Sequence, residues 1–123
     1  MPRTQLTVTE VVRAGVSQPA EQSSDASNNH YIDAGDADDT WWMEIRNANA
    51  SPQTVTVVAN PSLSSDGLTV SNYSKSVAAG ATDIAGPFKL GTFKQTADSN
   101  RVYVNPSVTT DLKFRVYKIT PVS

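Results

Sequence analysis

Apolar and polar residues alternate with a period of two through most of the chain, the pattern of strands buried on one face. In TQLTVTEV, residues 4–11, Leu6 and Val8 alternate with Thr7 and Thr9. In TWWMEIRNA, Trp41, Met43 and Ile45 alternate with Trp42, Glu44 and Arg46. The first set predicts a core face. The second leaves Trp42 among charges, either covered by the N-terminal segment or offered to a partner. The turn NANASP and the run QTVTVVA, with Val55 and Val57 facing in and Thr54 and Thr56 facing out, predict an antiparallel hairpin with the preceding strand. RVYVNPS and DLKFRVYKI continue the alternation, with Val102, Val104, Leu112, Phe114 and Val116 inward and Tyr103, Lys113, Arg115 and Tyr117 outward.

Between these runs lie turn signals. Asp66 and Gly67 suit a tight turn with positive φ, ahead of a short strand at Leu68 to Val70. SKSVAAGATDIAGPF reads as two short strands around Ala79 and Gly80, the second ended by Gly86 and Pro87 because proline cannot donate to a central ladder. Phe88 then caps the core. By contrast SQPAEQSSDASNN, residues 17–29, has no periodicity and reads as loop or flexible arm. The first strand is therefore expected to be loosely tethered, free to pair with its own sheet or to exchange between protomers.

The expected fold is all-β: a single antiparallel β-sandwich or barrel-like domain of about seven to nine short strands. Residues 1–28 form an N-terminal arm and polar linker, and residues 29–123 the sandwich. No internal repeat or helix-length periodic segment interrupts this reading.

Composition agrees. The 123 residues are enough for one core, and Ser, Thr, Asn and β-branched residues far outnumber the five leucines. Without cysteine there is no disulfide scaffold, thiolate metal site or cysteine nucleophile. The N-terminus lacks the apolar stretch of a secretory signal and no long apolar run follows, so the expectation is a soluble protein made in a cytoplasm. A net charge of −2 argues against nucleic acid as the main partner. Residues 1–61 nevertheless hold eight acids against three bases, and residues 62–123 four acids against seven bases. These halves could pair within one fold or between copies, or simply form a mixed solvated surface.

The stretch DAGDADD places Asp33, Asp36, Asp38 and Asp39 in seven positions. A calcium ion needs about six to eight oxygens from a flexible loop, but the spacing departs from the EF-hand pattern, and the alternation beginning at Thr40 makes the stretch a turn feeding a core strand. No cofactor is expected. A metal at these four aspartates is a minor alternative to the turn reading. Together with Glu44, they could serve a glycosidase only if two of them faced each other across a cleft. His30 is the only histidine, and it reads as a surface or turn residue. No nucleophile elbow, phosphate loop or H-E-x-x-H pair is present, so no enzyme is expected. Asn49 and Asn72 stand in N-x-S frames and read as turn residues. Arg101, Lys113, Arg115 and Lys118 with Tyr103 and Tyr117 form either a basic, aromatic face for nucleic acid or a solvated strand face.

The order LTVTEVVRAGV, WWMEIRNANASPQTVTVVAN, DGL, VAAGATDIAGPF, VYVNPS and LKFRVYKI resembles the small β-rich head decoration, or cement, proteins of tailed bacteriophages. The resemblance spans most of the chain and is carried by an R-N-A strand end before T-V-T-V and by an A-A-G turn leading to I-x-G-P-F. It departs in making the turn before the R-N-A strand acidic. It implies a non-enzymatic virion protein, made in the host cytoplasm, that sits on the capsid surface and bridges major capsid protein subunits. A homotrimer would match the local symmetry of such a shell, with a monomer bridging two capsid subunits as the alternative. From charge and the lack of a long apolar run, no nucleic acid or membrane partner is expected. Outward aromatics and arginine favour interface hot spots, so Trp42, Tyr103, Arg115 and Tyr117 are the candidate interface residues, joined by Leu6 and Val8 if the arm exchanges. The alternative is a tail or fibre module that binds a receptor or glycan, with calcium in the acidic loop.

Overall fold

The computed structural model describes residues 3–33, 39–60, 64–65, 68–69, 71–96 and 98–119. In chain order these form β1 (Thr4–Leu6), β2 (Val8–Glu10), β3 (Gln22–Ser23), β4 (His30–Ile32), β5 (Thr40–Asn47), β6 (Gln53–Val57), β7 (Ser64–Ser65) and β8 (Leu68–Thr69). There follow β9 (Tyr73–Val77), β10 (Thr82–Lys89), the single helical turn α1 (Leu90–Phe93), β11 (Val102–Pro106) and β12 (Leu112–Ile119). The first sheet has the order β1-β4-β11-β6-β9. The second has the order β10-β5-β12-β2, with β3 also on the β12 edge, and β7 and β8 form a separate ribbon.

The core is the interior of a sandwich, and the alternation read from sequence builds it. Trp41, Met43 and Ile45 of β5 and Leu112, Phe114 and Val116 of β12 are fully buried. So are Val55 and Val57 of β6 and Val102 and Val104 of β11 across the interior. Phe88 caps one region of this core by packing on Trp41, Tyr73 and Phe93, with ring centroids 4.8–5.6 Å apart. The Asp66–Gly67 turn and Val70 lie outside the described residues.

Three sequence expectations change. First, the segment 4–11 is two strands, and with β3, β4 and β7 this makes twelve described strands where about seven to nine were expected; both halves of the segment pair parallel, so the sheets are mixed. β1 pairs parallel with β4 in the first sheet, and β2 pairs parallel with β12 in the second. Thr7 is the corner. The Gln22 side chain takes the place of a strand there, accepting from Thr7 N at 2.7 Å and donating to Thr7 O at 3.1 Å. A corner between sheets thus has its backbone groups satisfied by one amide.

Second, β5 and β6 are not a hairpin. β5 pairs with β10 and β12, whereas β6 pairs with β11 and β9, so the connection arches from one sheet to the other. Asn47 explains the arch. Its fully buried Nδ2 donates to Val77 O (2.9 Å) and Ser51 O (3.0 Å), and its Oδ1 accepts from Asn49 N (2.8 Å). One side chain therefore ties the end of β5 to the end of β9 in the opposite sheet. β9 and β10 are likewise joined by an arch, turning at Gly80 with φ +75.

Third, Pro87 does not end β10, which continues to Lys89 through a register shift between Ala85 and Phe88. The strand tolerates proline because it is the edge of its sheet and is bulged there. Gly86, with φ +112, is required beside it: a Cβ would stand 3.1 Å from both Trp42 Cβ and the Phe88 ring.

The segment read as a loose arm lies along both sheets. Leu6 is 1% exposed within the core, and β3 of the linker pairs with β12 at Lys113 and Phe114.

Candidate functional site

On a β-strand, residues opposite inward positions form the outer face. On the second sheet this face carries Trp42, Glu44 and Arg46 from β5 beside Tyr117, Arg115 and Lys113 from β12, in direct register. Trp42 and Tyr117 stack, with ring centroids 5.6 Å apart and planes at 22°. Ile84, the ladder partner of Glu44 on β10, is 63% exposed, and Ile119, two positions beyond Tyr117, is 44% exposed.

The middle of this face is charged and internally paired. Arg115 Nη1 lies 2.7 Å from Glu44 Oε1 and 3.6 Å from Glu21 Oε2, and its Nε donates to Pro19 O at 2.9 Å. Arg46 makes a two-pronged pair with Glu21 at 2.8 and 2.9 Å. The hydrogen bond from Arg46 holds the Glu21 carboxyl below the ordinary range, and Glu21 in turn raises Arg46. Linker residues 19–22 are thereby clamped over the sheet. A cleft of about 240 Å³ opens beside them, lined by Thr7, Thr9, Pro19, Ala20 and Gln22. Thr9 is the ladder partner of Tyr117, so the cleft adjoins the aromatic pair.

The outer face of the first sheet is arranged differently. Tyr31 of β4 and Tyr103 of β11 stand directly opposite each other. Arg101 lies over the Tyr31 ring at 4.2 Å and Arg3 over Tyr103 at 3.9 Å. Tyr103 donates its hydroxyl to Asp98 at 2.6 Å, a bond that raises the phenol above its ordinary range. Arg3 also donates to His30 O and to Asn105 Oδ1, at 3.1 and 2.6 Å.

The six interface candidates are thus dispersed. Trp42, Arg115 and Tyr117 share the outer face of the second sheet, and Tyr103 is on the opposite side of the sandwich. Leu6 is in the core, and Val8 is half-buried against it. Arg115 is largely taken up by Glu44, Glu21 and Pro19. The basic, aromatic face considered for nucleic acid does not form as one surface. Arg101 and Tyr103 lie on one outer face, Lys113, Arg115 and Tyr117 on the other, and Lys118 reaches Asp39 at 3.3 Å.

The opposite-sign halves pair within the fold through Arg101–Asp33, Arg115–Glu21, Arg115–Glu44 and Lys118–Asp39. Of the acidic stretch, Asp33 is exposed and ion-paired at 3.6 Å with Arg101, while the Asp39 side chain is 2% exposed beside Lys118. Asp36 and Asp38 lie outside the described residues. Among the described residues no three His, Cys, Asp or Glu side chains converge as metal ligands, and no described helix is long and apolar enough to cross a membrane.

His30 is not a surface residue. It is fully buried, its Nε2 accepts from Asp25 N at 2.9 Å, and its Nδ1 donates to Thr4 O at 3.1 Å. Both nitrogens are occupied, so it is not placed to act as a general base. The sequence carried no sign of this clasp, because nothing in the apolar pattern shows that β1 pairs with β4 and sets Thr4 beside His30. Asn49 is a turn residue, its Oδ1 accepting from Ser51 N at 2.8 Å, whereas Asn72 lies just ahead of β9 and its Oδ1 accepts across from Ala59 N at 2.7 Å. The chain matches no family model, no curated protein and no solved structure.

Proposed function

We propose that this protein is a non-enzymatic structural protein of a phage virion, which decorates the capsid and stabilises it by bridging major capsid protein subunits. The observation that carries the reading is the Trp42–Tyr117 stack flanked by exposed Ile84 and Ile119, on a sandwich whose opposite aromatic pair is covered by its own arginines. A stacked aromatic pair with exposed isoleucines on the same face suits a hot spot, and the sequence resemblance supplies the partner class. A contact of about 800 Å² per partner suffices, because repetition over a symmetric shell multiplies modest affinity. A homotrimer would match a local threefold axis of such a shell.

Incubating the purified protein with intact capsids and imaging them tests this. Density at capsomer junctions is the expected result, and binding to tails alone, or no binding, would count against it. A second reading, a glycan-binding module, is favoured by the neutral cleft beside Tyr117. It predicts retention on immobilised glycans that is lost in Tyr117→Ala, and calcium dependence if the acidic loop takes part.

A further inference from the structure

We propose that His30 is an acid-sensitive latch that fastens the N-terminal segment, residues 3–29, to the rest of the sandwich and releases it as pH falls below neutrality. The latch is one buried ring joining three pieces of chain. From β4, His30 donates through Nδ1 to Thr4 O of the arm and accepts through Nε2 from Asp25 N of the linker, at 3.1 and 2.9 Å. Its ring rests edge-on against Phe114 of β12, with centroids 5.5 Å apart.

The clasp is reinforced around the ring. Asp25 Oδ2 accepts from the Thr4 hydroxyl at 2.8 Å, Asn29 N donates to Asp25 O at 2.7 Å, and Thr4 N donates to Asn29 O at 2.9 Å. Arm and linker therefore hold each other as well as the histidine.

Because the backbone N–H of Asp25 can only donate, Nε2 must carry a lone pair. Protonation sets two donors against each other at a site with no solvent exposure. The proton can be kept only if the 25–29 turn swings away, or if the Asp25 carboxylate leaves Thr4 and Asn28 to face the ring. Either movement opens the clasp.

The charged groups around the ring are Asp25 from the linker, which favours the imidazolium, and Arg3 from the arm, which opposes it. The neighbouring β11 and β12 positions, Val104 and Phe114, bring no charge. Burial outweighs Asp25 and lowers the histidine from its ordinary value of 6.5, in keeping with the geometry. Asp25 is itself held below the ordinary carboxylate range, first by the Thr4 hydroxyl, so it stays charged while the histidine titrates.

The sign follows from linkage. The closed form binds the proton more weakly than the open form, so closure is complete above pH 6.5. Below it the opening constant rises by about tenfold per pH unit until the pKa of the closed form is reached. Opening leaves the β4 and β12 edges without β1, β2 and β3, exposing unpaired strand edges.

Hydrogen exchange on the full chain tests the latch, read at the amides of Thr4, Thr7 and Val11 and corrected for intrinsic rates. Between pH 7.5 and 5.0 their opening constants should rise several-fold while the amides shared by β5 and β12 stay protected. His30→Gln, which keeps a donor and an acceptor, and His30→Phe, which keeps only the ring, should both flatten the pH dependence whatever their baseline. Nitrogen shifts of the wild-type imidazole at neutral pH should show the Nδ1–H form. An arm opening constant that is flat with pH, an equal rise in the β5–β12 amides, unchanged pH dependence in both variants, or an Nε2–H tautomer would each overturn the proposal.

Discussion

The two outer faces of the sandwich use the same residue types to opposite effect. Each places a pair of aromatic residues from adjacent strands side by side and sets arginines near them. On the first sheet Arg3 and Arg101 lie flat over Tyr103 and Tyr31, so the rings are covered by cations that a partner would have to displace. On the second sheet the arginines turn to Glu21 and Glu44 instead, and among the described residues no arginine lies over the half-buried Trp42–Tyr117 stack. Arg101 reaches Asp33 and Asp98 while still lying over Tyr31, whereas Arg115 and Arg46 reach their acids away from the Trp42–Tyr117 stack. The first face is closed by Arg3 of the N-terminal segment together with Arg101 ahead of β11, and the second is fastened in the middle, with no described arginine over its aromatic end.

The largest test of this comparison uses the adjacent tryptophans, which point to opposite sides of β5. Trp41 is fully buried and packs on Phe88 at 4.9 Å, so Trp41→Ala should cost about 3–5 kcal/mol of folding free energy through the cavity it leaves. Trp42→Ala removes the stack with Tyr117 and should cost no more than about 1.5 kcal/mol. Urea denaturation of the two variants would separate them, and equal losses would mean that the outer stack is part of the core after all.

Next in size is the effect on binding. If the open face meets the capsid, Trp42→Ala should weaken capsid binding by about 2 kcal/mol, roughly 30-fold, as expected for a central aromatic anchor. Tyr103→Ala on the covered face should leave capsid affinity nearly unchanged. A sedimentation assay on both variants would decide it, and a larger loss from Tyr103→Ala would move the interface to the first sheet.

Inward and outward positions were legible because alternation fixes them. Trp41 against Trp42, Val104 against Tyr103 and Phe114 against Arg115 fall where period two places them. Which sheet each strand joins was not legible, since a hairpin and an arch between sheets leave the same alternation. The deciding group is a side chain, the buried amide of Asn47, whose partner Val77 lies 30 residues away. Nor did sequence reveal what covers each aromatic pair. Arg3 reaches Tyr103 only because the N-terminal segment folds back, and that folding depends on Gln22 at the Thr7 corner and on His30, neither of which stands in a periodic run. Polar residues acting over long range thus escaped a reading based on apolar period.

A smaller effect probes the closed face. Tyr103→Phe removes the hydroxyl bond to Asp98 and should cost about 1 kcal/mol at neutral pH. Asp98 holds the phenolic proton more tightly in the folded state than in the unfolded one. The contribution is therefore complete below the ordinary tyrosine value of about 10 and fades as pH rises through the raised value. Thermal melts at pH 7 and above pH 10 should show the two proteins converging at the alkaline end. A constant gap would indicate that the hydroxyl acts through packing.

The smallest effect concerns the clamp that holds the linker on the open face. Glu21→Gln exchanges the pairs with Arg46 and Arg115 for neutral contacts at a partly exposed site, so the loss of stability should stay below about 1 kcal/mol and shrink as salt screens the wild-type pairs. The pH dependence has a definite sign. Arg46 lowers the folded-state pKa of Glu21, so its contribution is present above the ordinary value of 4.5 and is lost as pH falls through the folded value. The variant should thus differ from wild type near neutrality and match it in strong acid. Its more informative readout is proteolysis at Arg13 and the residues after it. If Glu21 alone fastens the linker, cleavage there should quicken in Glu21→Gln with little change in melting temperature. If cleavage is unchanged, the Pro19 carbonyl on Arg115 and the Gln22 amide at Thr7 suffice to hold the segment, and the openness of this face is set by backbone contacts and not by charge.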